Sequence, residues 1–301
     1  MAVTLREVEH KDFNQIHQLF VEVYGKQADQ GFKKAFYDHN QLLGFCLIDT
    51  STETKAMVGF FGCFTFTRVI DGISHKFYNS HTWIVKKDFR KQSLRLLLPY
   101  IKLKDGIITN FSANGKVAQI LEQLKFTKLV IVNHVIKSPI FINTFFKRQQ
   151  LAYVESNDPI LNWHQHYNCL CLSLKINELD DSLNLILKAV NKKPKWLQRI
   201  NKLSKAVVKR PLITKRYFLY KVHYVSDTSV FMKHLSVIRR SLFQNHKVGG
   251  LIFPDNLISE LPSQLIMKSY EDEVYVKSSE NTLPQIDYLY SEVFYLNIKD
   301  K

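Results

Sequence analysis

Residues 85–95 read Val-Lys-Lys-Asp-Phe-Arg-Lys-Gln-Ser-Leu-Arg, and these residue types in this order suit the holding of a phosphate or pyrophosphate. An apolar strand pattern over 77–85 enters the stretch, and the helical repeat Leu94, Leu97, Leu98, Ile101 leaves it. A strand feeding a helix through a short turn collects unbonded N–H groups at the helix N-terminus, where the helix dipole favours anions. Lys86, Lys87, Arg90 and Lys91 add cationic side chains to that spot. The plain alternative is a solvated basic loop between two elements.

The strand entering the turn carries two titratable candidates, Tyr78 and His81, with Ser80 and Thr82 as hydrogen-bonding neighbours. Histidine titrates near neutral pH and suits a general base; a structural histidine is the competing reading of His81. No Asp or Glu lies between Gly72 and Lys87, so a carboxylate base on this strand is excluded. A second constellation, Trp163-His164-Gln165-His166-Tyr167-Asn168-Cys169-Leu170-Cys171, offers two His and two Cys. On a strand the two His share one face and the two Cys the other, so one zinc reaches all four only through a turn. Structural cysteines on a core strand over 169–174 are the simpler reading, and no metal is expected.

These candidates sit in a chain of 301 residues, enough for one large domain or two of ordinary size. Its 46% hydrophobic content with 13% aromatics is globular and excludes a disordered chain. Four unevenly placed cysteines do not form a disulfide framework. No signal peptide pattern and no apolar run near ~20 residues is visible, so a soluble, cytoplasmic protein is expected. The net charge of +15 calls for an anionic partner. It concentrates in residues 192–216, a run without acids between and beyond Pro194 and Pro211, where Trp196, Leu197, Ile200, Leu203, Val207 and Val208 recur at helical spacing. Such a helix either lies in an anionic membrane interface or packs its apolar stripe on its own domain. No Walker motif or dinucleotide fingerprint occurs, and specific nucleic-acid binding is not expected.

The elements that must position these residues read as mixed α/β. Residues 3–8 form a strand, then Asp12 caps a helix that ends near Gly25. An irregular stretch precedes strands at 42–48 and 57–70, and Asp71-Gly72 signals a hairpin into a strand over 76–85. The turn and its helix follow, then a strand at 107–111, a helix at 114–124 and a strand at 127–135.

In this order the chain resembles the GNAT acyltransferase superfamily over residues 3–135. The family's central motif is a strand ending in Val, then Arg-x-x-Gly-x-Gly or Ala opening a helix; here Val85 and Arg90-Lys91-Gln92-Ser93-Leu94-Arg95 stand in its place. A second family motif, Asn-x-x-Ala-x-x-Leu-Tyr-x-x-x-Gly-Phe, has its offsets occupied here by Asn114, Val117, Ile120, Leu121, Leu124, Lys125 and Phe126, of which Asn114 and Phe126 are identical. The resemblance implies a largely antiparallel sheet flanked by helices and transfer of an acyl group, such as acetyl from acetyl-CoA, to an amine. It implies a coenzyme A surface of Trp83, Val85, Arg90, Lys91, Gln92, Ser93, Leu94, Arg95 and Asn114. Two departures stand out. Ser93 and Arg95 replace small residues of the phosphate turn, and Leu121 stands where many members carry a Tyr that protonates the departing thiolate.

The second half, taken as 151–301 after a first domain of 1–150, reads as a degenerate repeat of the first, with strands at 217–226, 251–253 and 273–277 and helices at 231–246 and 256–261. It has no equivalent of the phosphate turn. Residues 286–292 resemble an Asp-x-Leu-Tyr-Ser-Glu signature of bacterial two-domain GNAT-like proteins that accompany surface-polysaccharide synthesis. The resemblance implies an amino sugar or sugar-nucleotide as acceptor. The alternative is a non-catalytic scaffold of the same fold that touches anionic membrane through 192–216.

Overall fold

The computed structural model describes residues 2–25, 30–38, 41–51, 53–70, 72–137, 151–176, 182–190, 218–258, 261–278, 286 and 289. The basic segment 192–216, Asp71 and most of the 286–292 signature lie outside them. In chain order the elements are β1 (Val3–Glu7), α1 (Phe13–Tyr24), α2 (Gln30–Asp38), β2 (Gly44–Asp49), β3 (Met57–Ile70), β4 (Ile73–Val85), α3 (Leu94–Ile101), β5 (Ile107–Asn110), α4 (Gly115–Gln123) and β6 (Thr127–Lys137). There follow β7 (Leu151–Tyr153), α5 (Pro159–His164), β8 (Cys169–Ile176), β9 (Ser182–Val190), β10 (Phe218–Val225), α6 (Thr228–Lys233), α7 (Leu235–His246), β11 (Val248–Pro254) and β12 (Ile266–Lys277). No described helix is long and apolar enough to cross a membrane.

The chain divides into two compact units, residues 2–130 with 273–278, and residues 131–272. The cut expected at residue 150 differs because strand pairing, invisible in local patterning, returns the last residues of β12 to the first unit. There Tyr275, Val276 and Lys277 pair antiparallel with Asn110, Thr109 and Ile108 of β5. The first unit's sheet runs β1-β2-β3-β4-β5-β12, antiparallel except for the β4–β5 pair. One face packs Leu96, Leu97 and Tyr100 of α3 and Leu121 of α4 on Phe61, Cys63, Tyr78 and Ile108. The other face carries α1 and α2, whose Ile16, Phe32 and Phe36 are buried.

Local departures from the sequence reading have local causes. The irregular stretch contains α2, whose buried Phe32, Ala35 and Phe36 follow helical spacing despite Gly31 and two lysines. Asp12 precedes α1 but does not cap it. Its carboxylate accepts both Arg6 guanidinium N–H groups at 2.7 Å and the Glu9 N–H at 2.8 Å. Gly25 ends α1 in the left-handed conformation, φ +66°.

The second unit's sheet runs β6-β11-β10-β9-β8-β7, with β10 and β11 parallel. The helix expected over 231–246 breaks at His234 into α6 and α7, which pack Phe231, Leu235, Ile238 and Leu242 on the sheet. Of the helix expected over 256–261, residues 256–257 are turn and 259–260 lie outside the described residues; just before them Asp255 donates its N–H to Val132 O (2.8 Å) and accepts the Val132 N–H on Oδ1 (3.1 Å). The His164–Cys171 stretch is helix α5, a 3₁₀ turn and the start of β8, not one strand. All four thiols are free, and no cluster of three His, Cys, Asp or Glu occurs among the described residues.

Candidate functional site

The long β3–β4 hairpin turns at Gly72, whose φ of +79° suits glycine. Along it, Gly62 faces His81 while Phe61 faces Trp83, so Thr82 is an extra residue in β4. This bulge holds Thr82 at φ +37°, a conformation strained for a β-branched residue. Its effect is to re-aim the strand. Unbroken alternation would put His81, Trp83 and Val85 on one face. The bulge instead puts Trp83 and Val85 with Tyr78 on the α3–α4 face, and leaves His81 on the α1–α2 face.

β4 pairs with β5 only through Phe77–Ile107, Tyr78–Ile108 and Asn79–Thr109. It then continues to Val85 with no strand on that edge among the described residues, so the two parallel strands form a fork that opens toward the basic turn. Buried polar groups fill the apex. The Tyr100 hydroxyl donates to Tyr78 O (2.7 Å) and lies 3.2 Å from Thr109 O. Ser80 Oγ donates to Thr109 O (2.9 Å) and accepts Asn110 Nδ2–H (2.9 Å). On the opposite face Thr109 Oγ1 donates to Asn79 Oδ1.

At the fork's open end, Lys87–Gln92 forms a 3₁₀ turn before α3. That turn consumes some of the expected N–H groups: Phe89 N–H donates to Lys86 O and Ser93 N–H to Arg90 O. The N–H groups of Leu94 and Arg95 open α3 and have no acceptor among the described residues. Ser93 sits at φ −62°, ψ −35°, where no glycine is needed. Arg95 lies back along the first helical turn, its Nη1 donating to Gln92 Oε1 at 3.2 Å. The Lys86 ammonium pairs with Glu22 at 2.6 Å and holds that carboxyl below its usual range. Lys87, Arg90 and Lys91 are exposed, with no ion pair among the described residues.

Trp83 and Val85 close β4, and Arg90, Lys91, Gln92, Ser93, Leu94 and Arg95 follow in the turn and the first turn of α3. Asn114 does not join them by side chain; its Oδ1 caps α4 by accepting the Val117 N–H at 3.3 Å. Leu121 is core, packed with Ala118, Phe126 and Tyr275.

Tyr78 and His81 are not brought together. The Tyr78 hydroxyl donates to Asp105 Oδ1 at 2.7 Å, beside Lys76 on the other oxygen, and burial raises its pKa. Asp105 precedes β5, at the end away from the fork's opening. The His81 ring is 2% exposed, centred 4.3 Å from Phe64, 5.4 Å from Phe32 and 6.0 Å from Phe60. That surrounding makes it part of the aromatic core of the α1–α2 face.

The bulge and the apex network escape sequence reading. Their one visible trace is the polar run Asn79-Ser80-His81-Thr82 inside an otherwise apolar strand. Tyr275, beside Asn110, is also unheralded. Its hydroxyl donates between Glu122 Oε1 (3.1 Å) and Glu273 Oε2 (3.3 Å), and burial, then Glu122, push its pKa up to about 12.

The second unit repeats the construction with different chemistry. β10 and β11 run parallel through Lys221–Ile252 and a register shift leaves His223 as the extra residue. The following turn is closed by a carboxylate, Asp227, which accepts the Val230 N–H at 2.9 Å. An acid occupying the helix N-terminus repels a phosphate there. In the first unit an exposed acid, Asp88, lies in the turn, but no carboxylate among the described residues caps α3.

No protein-family model matches the sequence, and no curated protein sequence is significantly similar to it. Solved structures are similar in three dimensions. A GCN5-related N-acetyltransferase from Kribbella flavida superposes with a TM-score of 0.55 at 6% identity, covering 91% of this chain and 70% of the other. An Enterococcus faecalis V583 protein described as a probable N-acyltransferase gives 0.59 at 7% identity, over 92% and 72%. A GCN5-related N-acetyltransferase from Anabaena variabilis gives 0.57 at 8% identity, again over 92% and 72%. The chain has the fold of the GCN5-related N-acetyltransferases across both of its halves.

Proposed function

We propose that this protein is an acyl-CoA-dependent N-acyltransferase whose first unit binds the coenzyme. The observation that carries the reading is the fork between β4 and β5, open at the end where a cationic turn and the first N–H groups of α3 converge. The pyrophosphate rests on Leu94 and Arg95 N–H with Arg90 and Lys91 around it. The pantetheine arm takes the unpaired edge of β4 past Val85 and Trp83, in the manner of an added strand.

A thioester is already activated, so holding it and an amine in contact supplies most of what the reaction needs. The thiolate proton comes from solvent or substrate, since Leu121 cannot give one. The acceptor we favour is the amino group of a sugar or sugar-nucleotide, on the resemblance of residues 286–292 alone, and the setting is cytoplasmic. The core position of Leu121 is the observation that favours the second reading, a coenzyme-binding protein without turnover.

Calorimetric titration with acetyl-CoA tests the assignment. Binding at submillimolar concentration is expected, together with its loss in an Arg90→Glu, Ser93→Glu double variant. No binding, or binding indifferent to that variant, overturns it. Release of free thiol with a panel of amino sugars separates catalysis from binding alone.

A further inference from the structure

We propose that Tyr100 sets the length of acyl chain this protein accepts; the inference rests on coenzyme A lying in the β4–β5 fork. From Val85 back to Ser80 the edge of β4 advances only four steps of its partner strand, Gly59 to Cys63, because Thr82 is extra; at roughly 3.3 Å per residue that is about 13 Å. An extended pantetheine arm has comparable reach. A coenzyme anchored by its pyrophosphate on the turn therefore brings its thioester to Ser80, and the acyl chain points at the apex.

The apex is closed. Tyr100, 1% exposed, sends its ring up from α3 and places its hydroxyl between Tyr78 O on β4 and Thr109 O on β5. Ser80 Oγ and the Asn110 amide complete the same plug from the two strands. Behind the plug the strands are fully paired and the Asn79–Thr109 side-chain bond ties them on the far face. A methyl group ends before the plug. Longer chains must displace hydroxyls that satisfy two buried carbonyls and would leave those carbonyls facing hydrocarbon. The Tyr100 side chain is held on both sides, by the ring of Phe61 at 4.9 Å and by its own hydrogen bonds, so it does not swing aside as an exposed gate would. It touches no reacting atom and acts by filling space.

The test is a ladder of calorimetric titrations on the full chain with coenzyme A, acetyl-CoA, butyryl-CoA and octanoyl-CoA, in wild type and Tyr100→Leu. Wild type is expected to bind coenzyme A and acetyl-CoA alike and octanoyl-CoA about tenfold or more weakly. In Tyr100→Leu the octanoyl penalty shrinks to about threefold or less, while affinity for unacylated coenzyme A stays within about threefold. A purely structural role for Tyr100 would weaken all four ligands together and leave their ratios unchanged, which would overturn the proposal. So would equal binding of acetyl- and octanoyl-CoA to wild type, a result that needs no variant and stands even if Tyr100→Leu does not fold. Failure of coenzyme A itself to bind refutes the underlying assignment, and this proposal with it; binding of coenzyme A without chain-length discrimination refutes this proposal alone.

Discussion

The ring of His81 fills the space that a side chain at Gly62 would need: a Cβ on Gly62 would overlap the imidazole itself. The two residues face each other across the β3–β4 ladder, so the glycine is there for close packing and not for a turn. Gly62→Ala is expected to lower stability by about 1–3 kcal/mol through overpacking, read as a fall in the urea midpoint. A His81→Ala, Gly62→Ala double variant should recover part of that loss. If the two changes add without recovery, the packing explanation is wrong.

Asp12 supplies a pH-dependent element. Burial raises its pKa, but the Arg6 guanidinium and the Glu9 N–H outweigh this and hold the carboxyl below its ordinary value. A depressed folded pKa means that the stabilisation is complete above the unfolded value near 4 and is lost as pH falls through the folded one. Asp12→Asn should cost about 2 kcal/mol at pH 7 and much less at pH 3. Urea unfolding of both proteins at the two pH values checks it; an undiminished cost at pH 3 contradicts the pairing argument.

The bulge residue Thr82 is strained at φ +37°. Glycine adopts positive φ at no steric cost, so Thr82→Gly should raise stability by about 1 kcal/mol. A drop in thermal midpoint would show that the hydroxyl or methyl of Thr82 contributes more than the strain removes.

Tyr275 makes an alkaline prediction. Its pKa, pushed up to about 12 by burial and by Glu122, keeps the folded state protonated where the unfolded state ionises. Stability then falls as pH rises past the unfolded value near 10. The decline in thermal midpoint between about pH 10 and 12 should be smaller in Tyr275→Phe than in wild type. An identical decline in both proteins would refute the assignment.

Much of the first unit is legible in sequence because its signals are local. β3 over residues 57–70 declares itself by its richness in Phe, Val and Thr, and α4 by its Asn114 cap and apolar spacing. The basic turn is visible because charge and periodicity change together at residues 85–95. The rest depends on partners far along the chain. Nothing near Thr82 announces a bulge, since the register shift is defined against Phe61 and Gly62 on another strand. His81 reads as a candidate base from its ring chemistry and its place on the strand entering the turn; its seat among Phe32, Phe60 and Phe64 depends on partners that its own strand does not record. The β4–β5 fork is a failure of two strands to keep pairing, and a single strand's pattern does not record it. β12 is the extreme case, because Tyr275 meets Asn110 across 165 positions (275 minus 110).

That pairing bears on how the polypeptide is made. A ribosome delivers β5 long before residues 273–277, so through most of synthesis the nascent first unit exposes the edge of β5 that those residues later cover. Expression of residues 1–150 alone would leave that edge bare permanently, and the fragment is expected to associate or be degraded, where the same fragment supplied with the missing strand as a separate peptide would be rescued.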